Sequence, residues 1–296
     1  MDSLNLIPEE VVDLDSIITT AELSRRPSRP PDYAAENRAL VALTQTLAHP
    51  PNDILQKLAE TALTLCRAHS AGVSLLEPDG KNFYWPAVVG QWACHVGGGS
   101  PRDCSPCGAA LDRDAAQLMS RPERHFTPFA SIKPLIEEAL LIPFYVEGKA
   151  VGAIWVIAHD RSRQFDAEDL RLMTNLGQFA AAAYQTIRED EHRYRRIFET
   201  ASEGILILDP DTRRITDANP FMTELLGYTR EELIGKELFE IGLLRDEQES
   251  QDAFRRLQEE RFIRRENSPL QTKAGRRLEV EVVANLYQEN GHSVIQ

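Results

Sequence analysis

Thiol and imidazole side chains that could do chemistry cluster in one stretch of the chain, which we call the 92–113 segment. Cys94 is followed by His95, and Cys104 and Cys107 form a Cys-x-x-Cys pair. This spacing lets one tight turn bring two sulfur atoms together, as a zinc site or a redox pair requires. A structural zinc site needs four ligands, however, and the sequence contains no second Cys-x-x-Cys or histidine pair to complete one.

Three interpretations of these cysteines stay open. Cys104 and Cys107 could form a regulatory disulfide, although such bonds are rare in a reducing cytosol. They could bind a metal with Cys94 or His95 as a third ligand. In the plainest interpretation, Cys94 and Cys104 are incidental thiols and Cys107 packs beneath the segment. The fourth cysteine, Cys66, lies on the apolar face of a predicted helix and is assigned to the core.

Aromatic and charged side chains in and near the same segment could form a small-ligand pocket, which typically has aromatic walls and a few convergent polar groups. The residues that fit this description are Trp85, Trp92, His95, Arg102, Asp103 and Trp155. Arg102 could hold an anion with two hydrogen bonds, or it could pair with Asp112 or Asp114 and only fix the segment. Trp155 lies in a strand that is apolar throughout, and a residue in such a strand is more often part of the core than of a ligand wall.

Composition and charge exclude several classes of partner. The 296 residues carry a formal net charge of -13, which argues against nucleic-acid binding and against docking on anionic membranes. No apolar run reaches the roughly 18 residues that a membrane helix needs. The acidic start of the chain, with Asp2, Glu9 and Glu10, is unlike a signal peptide. We therefore expect a cytoplasmic protein, and the length suggests two domains.

Residues 1–31 precede the first regular pattern. Apolar residues among acids in the first half could form a short amphipathic helix that docks on the main body, or a loose tail. Residues 24–31, SRRPSRPP, have the composition of a linker. We interpret the whole stretch as a leader and linker.

The helices and strands that must position the candidate pocket are predicted between residues 32 and 188. Two helices are predicted at Tyr33–Ala48 and Asn52–His69, and a strand opens the phrase AGVSLLEPDG. A hairpin, LLIPFYVEGKAVGAIWVIAH, leads into the helix FDAEDLRLMTNLGQFAAAAYQ. This order resembles the GAF family of sensory domains over about Asn37–Arg188. The resemblance implies an antiparallel sheet with helices on one side and, on the other, a ligand pocket roofed by the 92–113 segment.

Two activities found in that family are disfavoured by the residues present. The phrase SPCGAALDRDAAQL is similar to the Cys-Gly loop of free methionine sulfoxide reductases, but Phe126–Ala139, where those enzymes carry the nucleophile, has no cysteine. Cys94 and His95 lead into three glycines rather than lying on a helix, and no Asp-Ile-Pro phrase is present, which disfavours a bilin chromophore. The three glycines are not a phosphate loop, because no Gly-Lys-Ser/Thr follows.

A long helix is predicted at residues 165–200, which contain no proline and can be capped by Asp166. Apolar residues recur there at the spacing of a coiled-coil seam, namely Leu176, Ala180, Ala183, Ile187, Tyr194 and Ile197. Asp190 occupies the one polar position in that seam. We interpret the helix as a rod of roughly 50 Å that joins two domains and two chains of a homodimer. Asp190 would weaken the coil where a signal has to move it.

The stretch from residue 195 to residue 296 forms a second pattern. The phrases FETASEGILILDPD and ITDANPFMTELLGYTREELIGK resemble a PAS domain, and Asn219 falls on the recurrent Asn of that family. This half lacks cysteine, which excludes a flavin–cysteinyl adduct of the LOV type. No histidine lies between His192 and His292, which argues against haem. The chain ends at the edge of the last predicted strand, and neither a histidine-kinase phosphoacceptor nor a nucleotide-binding motif is present.

The expected fold class is α+β, with two antiparallel-sheet sensory domains, GAF-like and then PAS-like, joined by a long helix. The expected function is non-catalytic signal transduction of the two-component type. An unknown small ligand or a redox event in the first domain would be relayed to an output domain or partner kinase. The alternatives are the N-terminal part of a sensor histidine kinase, or a GAF-fold thiol enzyme such as a free methionine sulfoxide reductase. The sequence names neither the ligand nor the output.

Overall fold

The computed structural model describes residues 12–46, 51–289 and 292–296. It divides into two compact units, at 1–187 and 188–296. Each unit contains helices and one antiparallel sheet, so the predicted α+β class is confirmed. No helix among the described residues is long and apolar enough to cross a bilayer.

The first unit is built on a six-stranded sheet with the order β3-β2-β1-β6-β5-β4. Its strands are β1 (Ser70–Leu76), β2 (Asn82–Gly90), β3 (Gly99–Pro101), β4 (Gln117–Ser120), β5 (Glu138–Val146) and β6 (Lys149–Ala158). Its helices are α1 (Leu14–Ile17), α2 (Glu22–Arg25), α3 (Tyr33–Thr46), α4 (Pro51–Leu65), α5 (Pro106–Asp112) and the start of α6 (Ala167–Thr200). Strand β6 lies between β1 and β5 and is buried from Gly152 to Ala158, which explains its continuous apolar sequence.

Two apolar clusters lie on opposite faces of this sheet, because successive strand residues point to opposite sides. On one face, Ile154 and Val156 of β6 pack with residues of α4 and α6. On the other face, Ala153, Trp155 and Ile157 pack with residues of the 92–113 segment. The sheet therefore separates a helix-side core from a segment-side core.

The described part of the predicted leader is not a loose tail, because residues 12–29 dock on the first unit. We call these residues the strap. Ile17 and Leu23 are almost fully buried, and Ile18 forms an antiparallel bridge with Met119 of the edge strand β4. The composition of residues 24–31 suggested a linker, but Arg26 and Arg29 bind buried acidic side chains. The strap continues the edge of the sheet and is part of the first unit.

Helix α6 is confirmed as one long helix, and its Asp166 cap accepts a hydrogen bond from the Asp169 N–H at 3.0 Å. Three residues of the predicted coiled-coil seam, Leu176, Ala180 and Ala183, are buried in the core of their own domain. Their spacing is therefore explained by packing within one chain, which corrects this half of the seam. Ile187 packs at the edge of the same core, whereas Tyr194 and Ile197 are at least half exposed. The Asp190 side chain lies outside the described set.

The second unit contains a five-stranded sheet with the order β8-β7-β11-β10-β9. Its strands are β7 (Leu206–Leu208), β8 (Ile215–Ala218), β9 (Phe262–Gln271), β10 (Arg277–Glu289) and β11 (His292–Ile295). Its helices are α7 (Pro220–Leu226), α8 (Arg230–Leu233) and α9 (Glu247–Glu260). Apolar residues from these strands and helices form one core cluster, which includes Leu226, Leu233 and Leu257.

Asn219 fixes the start of α7 in this unit. It is fully buried, and its Oδ1 accepts hydrogen bonds from the Ile205 N–H at 2.9 Å and the Met222 N–H at 3.0 Å. Its Nδ2 donates to the Glu203 carbonyl oxygen at 2.8 Å. A single amide thus caps a helix and ties it to the segment that enters β7.

We predict that Asn219→Ala destabilises the second unit by about 2–4 kcal/mol, because three buried hydrogen bonds are lost together. Urea unfolding followed by far-UV circular dichroism measures this. All three tryptophans lie in the first unit, so their fluorescence midpoint should stay unchanged.

The control is Thr216→Ala, which removes only an exposed hydroxyl that donates to the Ile207 carbonyl oxygen at 3.2 Å. It should cost less than about 0.5 kcal/mol. Equal effects of the two substitutions would show that Asn219 does not hold this junction.

Candidate functional site

The 92–113 segment covers the face of the first sheet opposite α4 and α6, and it is more regular than predicted. It contains 3-10 turns at Ala93–His95 and Arg102–Cys104, the short strand β3, and helix α5. Ser105 caps α5 by accepting a hydrogen bond from the Gly108 N–H at 3.1 Å. The segment is thus a structured cover over the sheet.

A cavity with a free volume of about 30 Å³ lies between this cover and the sheet, large enough for one or two water molecules. Its walls are formed by Ser74, Trp85, Trp92, Ser100, Pro106, Cys107, Phe129, Ile136, Ala139, Leu141, Trp155 and Ile157. The Trp155 indole fits because Gly72 lies opposite it in the sheet. A Cβ at Gly72 would lie 2.4 Å from Cζ2 of Trp155.

Two serines supply the polar groups of this cavity. Ser74 Oγ accepts hydrogen bonds from Trp155 Nε1 at 2.9 Å and from the Cys107 thiol at 3.3 Å. Ser100 is buried, and its hydroxyl has no hydrogen-bond partner within the described part of the chain. Ser100 is therefore the polar group left uncommitted. Sequence reasoning missed both serines. Ser74 is a polar residue within a largely apolar strand, whereas Ser100 follows three glycines and has no comparable signal.

Trp92 is the main anchor of the cover. Its backbone N–H donates to Ser70 Oγ at 3.1 Å, and its Nε1 donates to the Pro134 carbonyl oxygen at 2.9 Å. Its ring centroid lies 6.1 Å from that of Trp155 and 5.7 Å from that of His159. The indole thus ties the start of the cover to both the sheet and the loop before β5.

His159 supports this anchor and was also missed by the sequence analysis. Its Nδ1 lies 2.8 Å from the Leu135 carbonyl oxygen and its Nε2 lies 2.7 Å from Ser70 Oγ. Burial lowers the pKa of His159, and the nearby His69 lowers it further, which favours the neutral ring. Because a carbonyl oxygen can only accept, Nδ1 donates to Leu135 and Nε2 accepts from the Ser70 hydroxyl.

The structure brings together some of the sequence-predicted pocket residues and not others. Trp85, Trp92 and Trp155 all line the cavity, and the His95 ring lies 5.8 Å from the Trp92 ring. Arg102 instead donates to Asp112 at 2.5 Å, which is the alternative foreseen for it. Asp103 is exposed. Neither Arg102 nor Asp103 lines the cavity.

Family models match a GAF domain at residues 48–185 and a PAS domain at residues 192–260. The chain carries a GAF domain followed by a PAS domain. A curated relative, the methyl sulfide methyltransferase-associated sensor of Methanosarcina acetivorans, is 26% identical over 105 residues, which cover 33% of this chain and 10% of that protein. The chain thus matches about a tenth of that relative's length.

Two solved structures are similar to the separate domains. The first, a GAF domain from the Acinetobacter phosphoenolpyruvate-protein phosphotransferase, is 14% identical with a TM-score of 0.47 and covers 56% of this chain and 97% of its own. The second, a PAS domain of an HTR-like protein from Haloarcula marismortui, is 22% identical with a TM-score of 0.35 and covers 38% of this chain and 91% of its own.

The four cysteines occupy different environments and are all free thiols. Cys107, in the wall of the GAF cavity, is buried, and burial raises the pKa of its thiol to about 12. Cys104 is half-buried and Cys94 is exposed, whereas Cys66 lies in the helix-side core. Over residues 12–46, 51–289 and 292–296, no three His, Cys, Asp or Glu side chains are grouped to hold a metal ion.

We predict that iodoacetamide at pH 8 modifies Cys107 of the folded chain at least about a hundredfold more slowly than Cys94, because the buried thiol stays protonated. The rate at Cys107 should keep rising with pH toward about 12. The pKa of Cys107 is higher in the folded chain than in the unfolded chain. Its neutral thiol therefore contributes fully to the free energy of unfolding below the unfolded pKa, and this contribution is lost as the pH rises toward 12.

Alkylation rates mapped by mass spectrometry measure the difference. In urea the two cysteines should react at similar rates, which controls for their intrinsic reactivity. Modification of Cys107 as fast as Cys94 in the folded chain would rule out a buried neutral thiol.

Proposed function

We propose that this chain is the sensory part of a signalling protein and that its input is a small neutral molecule that enters the GAF cavity. One observation carries the proposal: an apolar cavity under Trp92 contains the Ser100 hydroxyl, which lacks a partner among the described residues. None of the described lining residues is charged. An ion would therefore lose its hydration without compensation, whereas a neutral molecule with one polar atom would match the site.

The cavity is small, so most ligands have to displace part of its wall. Trp92 is the side chain whose movement has the largest consequence, because it anchors the start of the 92–113 segment. A ligand that takes its place selects a rearranged cover, and the population of that state rises with occupancy. In this proposal, the rearranged cover is the signal.

Redox sensing by Cys104 and Cys107 is the second candidate, since Cys107 faces the same cavity. The raised pKa of Cys107 works against it, because the thiolate is the form that reacts with oxidants and disulfides. The same argument disfavours a thiol enzyme. We therefore favour ligand binding, with α6 and the PAS domain as a non-catalytic relay to an output domain or partner kinase in the cytoplasm.

Xenon, acetonitrile and acetate test the input as probes of different chemistry. Xenon and acetonitrile are expected to bind, to change the tryptophan emission and to raise the Tm of the GAF domain, whereas acetate, which is charged, has no effect. Ser100→Ala should weaken acetonitrile roughly fivefold, because about 1 kcal/mol of hydrogen bonding is lost, and leave xenon unaffected.

Ser100→Thr is the matched control, because it keeps the hydroxyl and fills the cavity with one methyl group. It should weaken xenon and acetonitrile alike. The proposal is wrong if the neutral probes leave emission and Tm unchanged, or if they act equally on wild type and Ser100→Thr.

We also propose that α6 joins two chains as a homodimer through its exposed second half. Tyr194 and Ile197 are 50% and 62% exposed and lie three residues apart, on the same face of α6. Pairing of these residues would extend a coiled coil beyond the GAF core. The acidic net charge supports a protein partner over nucleic acid or membrane.

Ile197→Asp should raise the dissociation constant of the dimer at least tenfold, because a charge replaces an apolar side chain in the proposed interface. At micromolar concentration the variant should then be mainly monomeric. Sedimentation velocity measures this. His192→Asp, an exposed position roughly 140° away around the helix, should leave the dimer intact. A monomeric wild type, or a dimer that tolerates both substitutions, would contradict the proposal.

A further inference from the structure

The C-terminal end of the strap completes the start of α6. The first N–H groups of a helix have no partner within it. The Glu168 N–H donates to Ser28 Oγ at 3.2 Å, so the strap supplies a cap from a distant part of the sequence. The Arg29 N–H donates to Asp166 Oδ2 at 3.1 Å, and the other carboxylate oxygen of Asp166 accepts the hydrogen bond from the Asp169 N–H. Removing the strap would leave these groups without their partners.

Two arginine side chains hold the same end in place. Arg29 Nη2 donates to Asp169 Oδ1 at 2.7 Å, and Asp169 is fully buried in the first turn of α6. Arg26 donates to both carboxylate oxygens of Glu138, at 2.6 and 2.9 Å, and to the Phe165 carbonyl oxygen at 2.9 Å. The position of the strap therefore determines whether buried carboxylates at this junction keep their partners.

The N-terminal end of the strap lies in the segment-side core. Ile17 is 1% exposed and belongs to the same cluster as Trp92 and Cys107. Asp15 forms a salt bridge with Arg113, the C-cap residue of α5. Helix α5 also contains Cys107. This end of the strap is thus part of the packing that surrounds the cavity.

The middle of the strap crosses the edge of the sheet from one core to the other. The Thr19 N–H donates to the Leu118 carbonyl oxygen at 2.8 Å, and the Leu118 N–H donates to Thr20 Oγ1 at 3.0 Å. Beyond this edge, Leu23 is buried in the helix-side core with α4 and α6. One short run of backbone therefore joins the segment-side core that surrounds the cavity, the edge strand β4 and the start of α6.

We propose that the strap couples the cavity wall to the N-terminus of α6. A rearrangement of the wall that shifts Ile17 pulls the strap away from α6, and the first turn loses the Ser28 and Arg29 contacts. The coupling does not require a ligand, so it can be tested separately from the proposal that a small neutral molecule binds in the cavity.

Amide hydrogen exchange at Glu168 and Asp169, measured by NMR on the full chain without any probe, tests the coupling. Ile17→Ala should accelerate both amides at least about fivefold, although Ile17 packs in the opposite core. Val88→Ala is the matched control, because Val88 belongs to the same segment-side core. It lies on β2, which is separated from the edge strand β4 by β1, β6 and β5. It should leave the two amides unchanged.

Ser28→Ala should accelerate the same amides directly, and its effect should not add fully to that of Ile17→Ala, because both act through one contact. Ile17→Val replaces Ile17→Ala if the larger truncation does not fold. The proposal is overturned if Ile17→Ala accelerates exchange only in β4, if Val88→Ala has an equal effect at α6, or if the double variant is fully additive.

Discussion

The first domain depends on covering both faces of its central strand. Residues 152–158 of β6 are buried in a sheet where alternate side chains point to opposite sides, so each face needs its own apolar partner. Helices α4 and α6 cover one face, and the 92–113 segment covers the other. The cover is therefore required for stability as well as for any pocket beneath it, and a change in the cover changes the environment of β6.

Buried charge sets a second constraint where the strap, α4 and α6 meet. Asp169 has no exposed surface, and it accepts hydrogen bonds from Arg29, Arg163 and the Asp166 N–H. Arg29 and Arg163 also donate to the carbonyl oxygens that end α4, at Leu65 and Cys66. A carboxylate removed from water is tolerated only when such partners are all in place. These partners come from distant parts of the sequence, so the junction forms as a unit.

The sequence predicted the elements and the families well, because strand burial, hairpin turns and long helical periodicity are local signals. The three tryptophans predicted for the pocket all line the cavity, although they come from β2, the 92–113 segment and β6, and β1 lies between the two strands. Docking of the leader was one of two alternatives, but the contacts of its last residues were missed. SRRPSRPP has the composition of a linker, and nothing local shows that Arg26 and Arg29 meet Glu138 and Asp169. The coiled-coil seam was assigned too far toward the N-terminus, because a core-facing helix stripe has nearly the same spacing.

The packing of α6 also limits how the helix can move against the sheet. Gly177, Ala180 and Ala183 are buried in the helix-side core, and a Cβ at Gly177 would lie 3.1 Å from Ile142 Cγ2. Small side chains let the helix lie close to the sheet, whereas Leu172, Met173 and Leu176 of α6 are buried in the same core and interlock with it. Rotation would carry exposed polar residues such as Thr174 and Gln178 into that core. The buried contacts therefore hold this part of α6 against the sheet, and the strap fixes the start of the helix through Ser28 and Arg29.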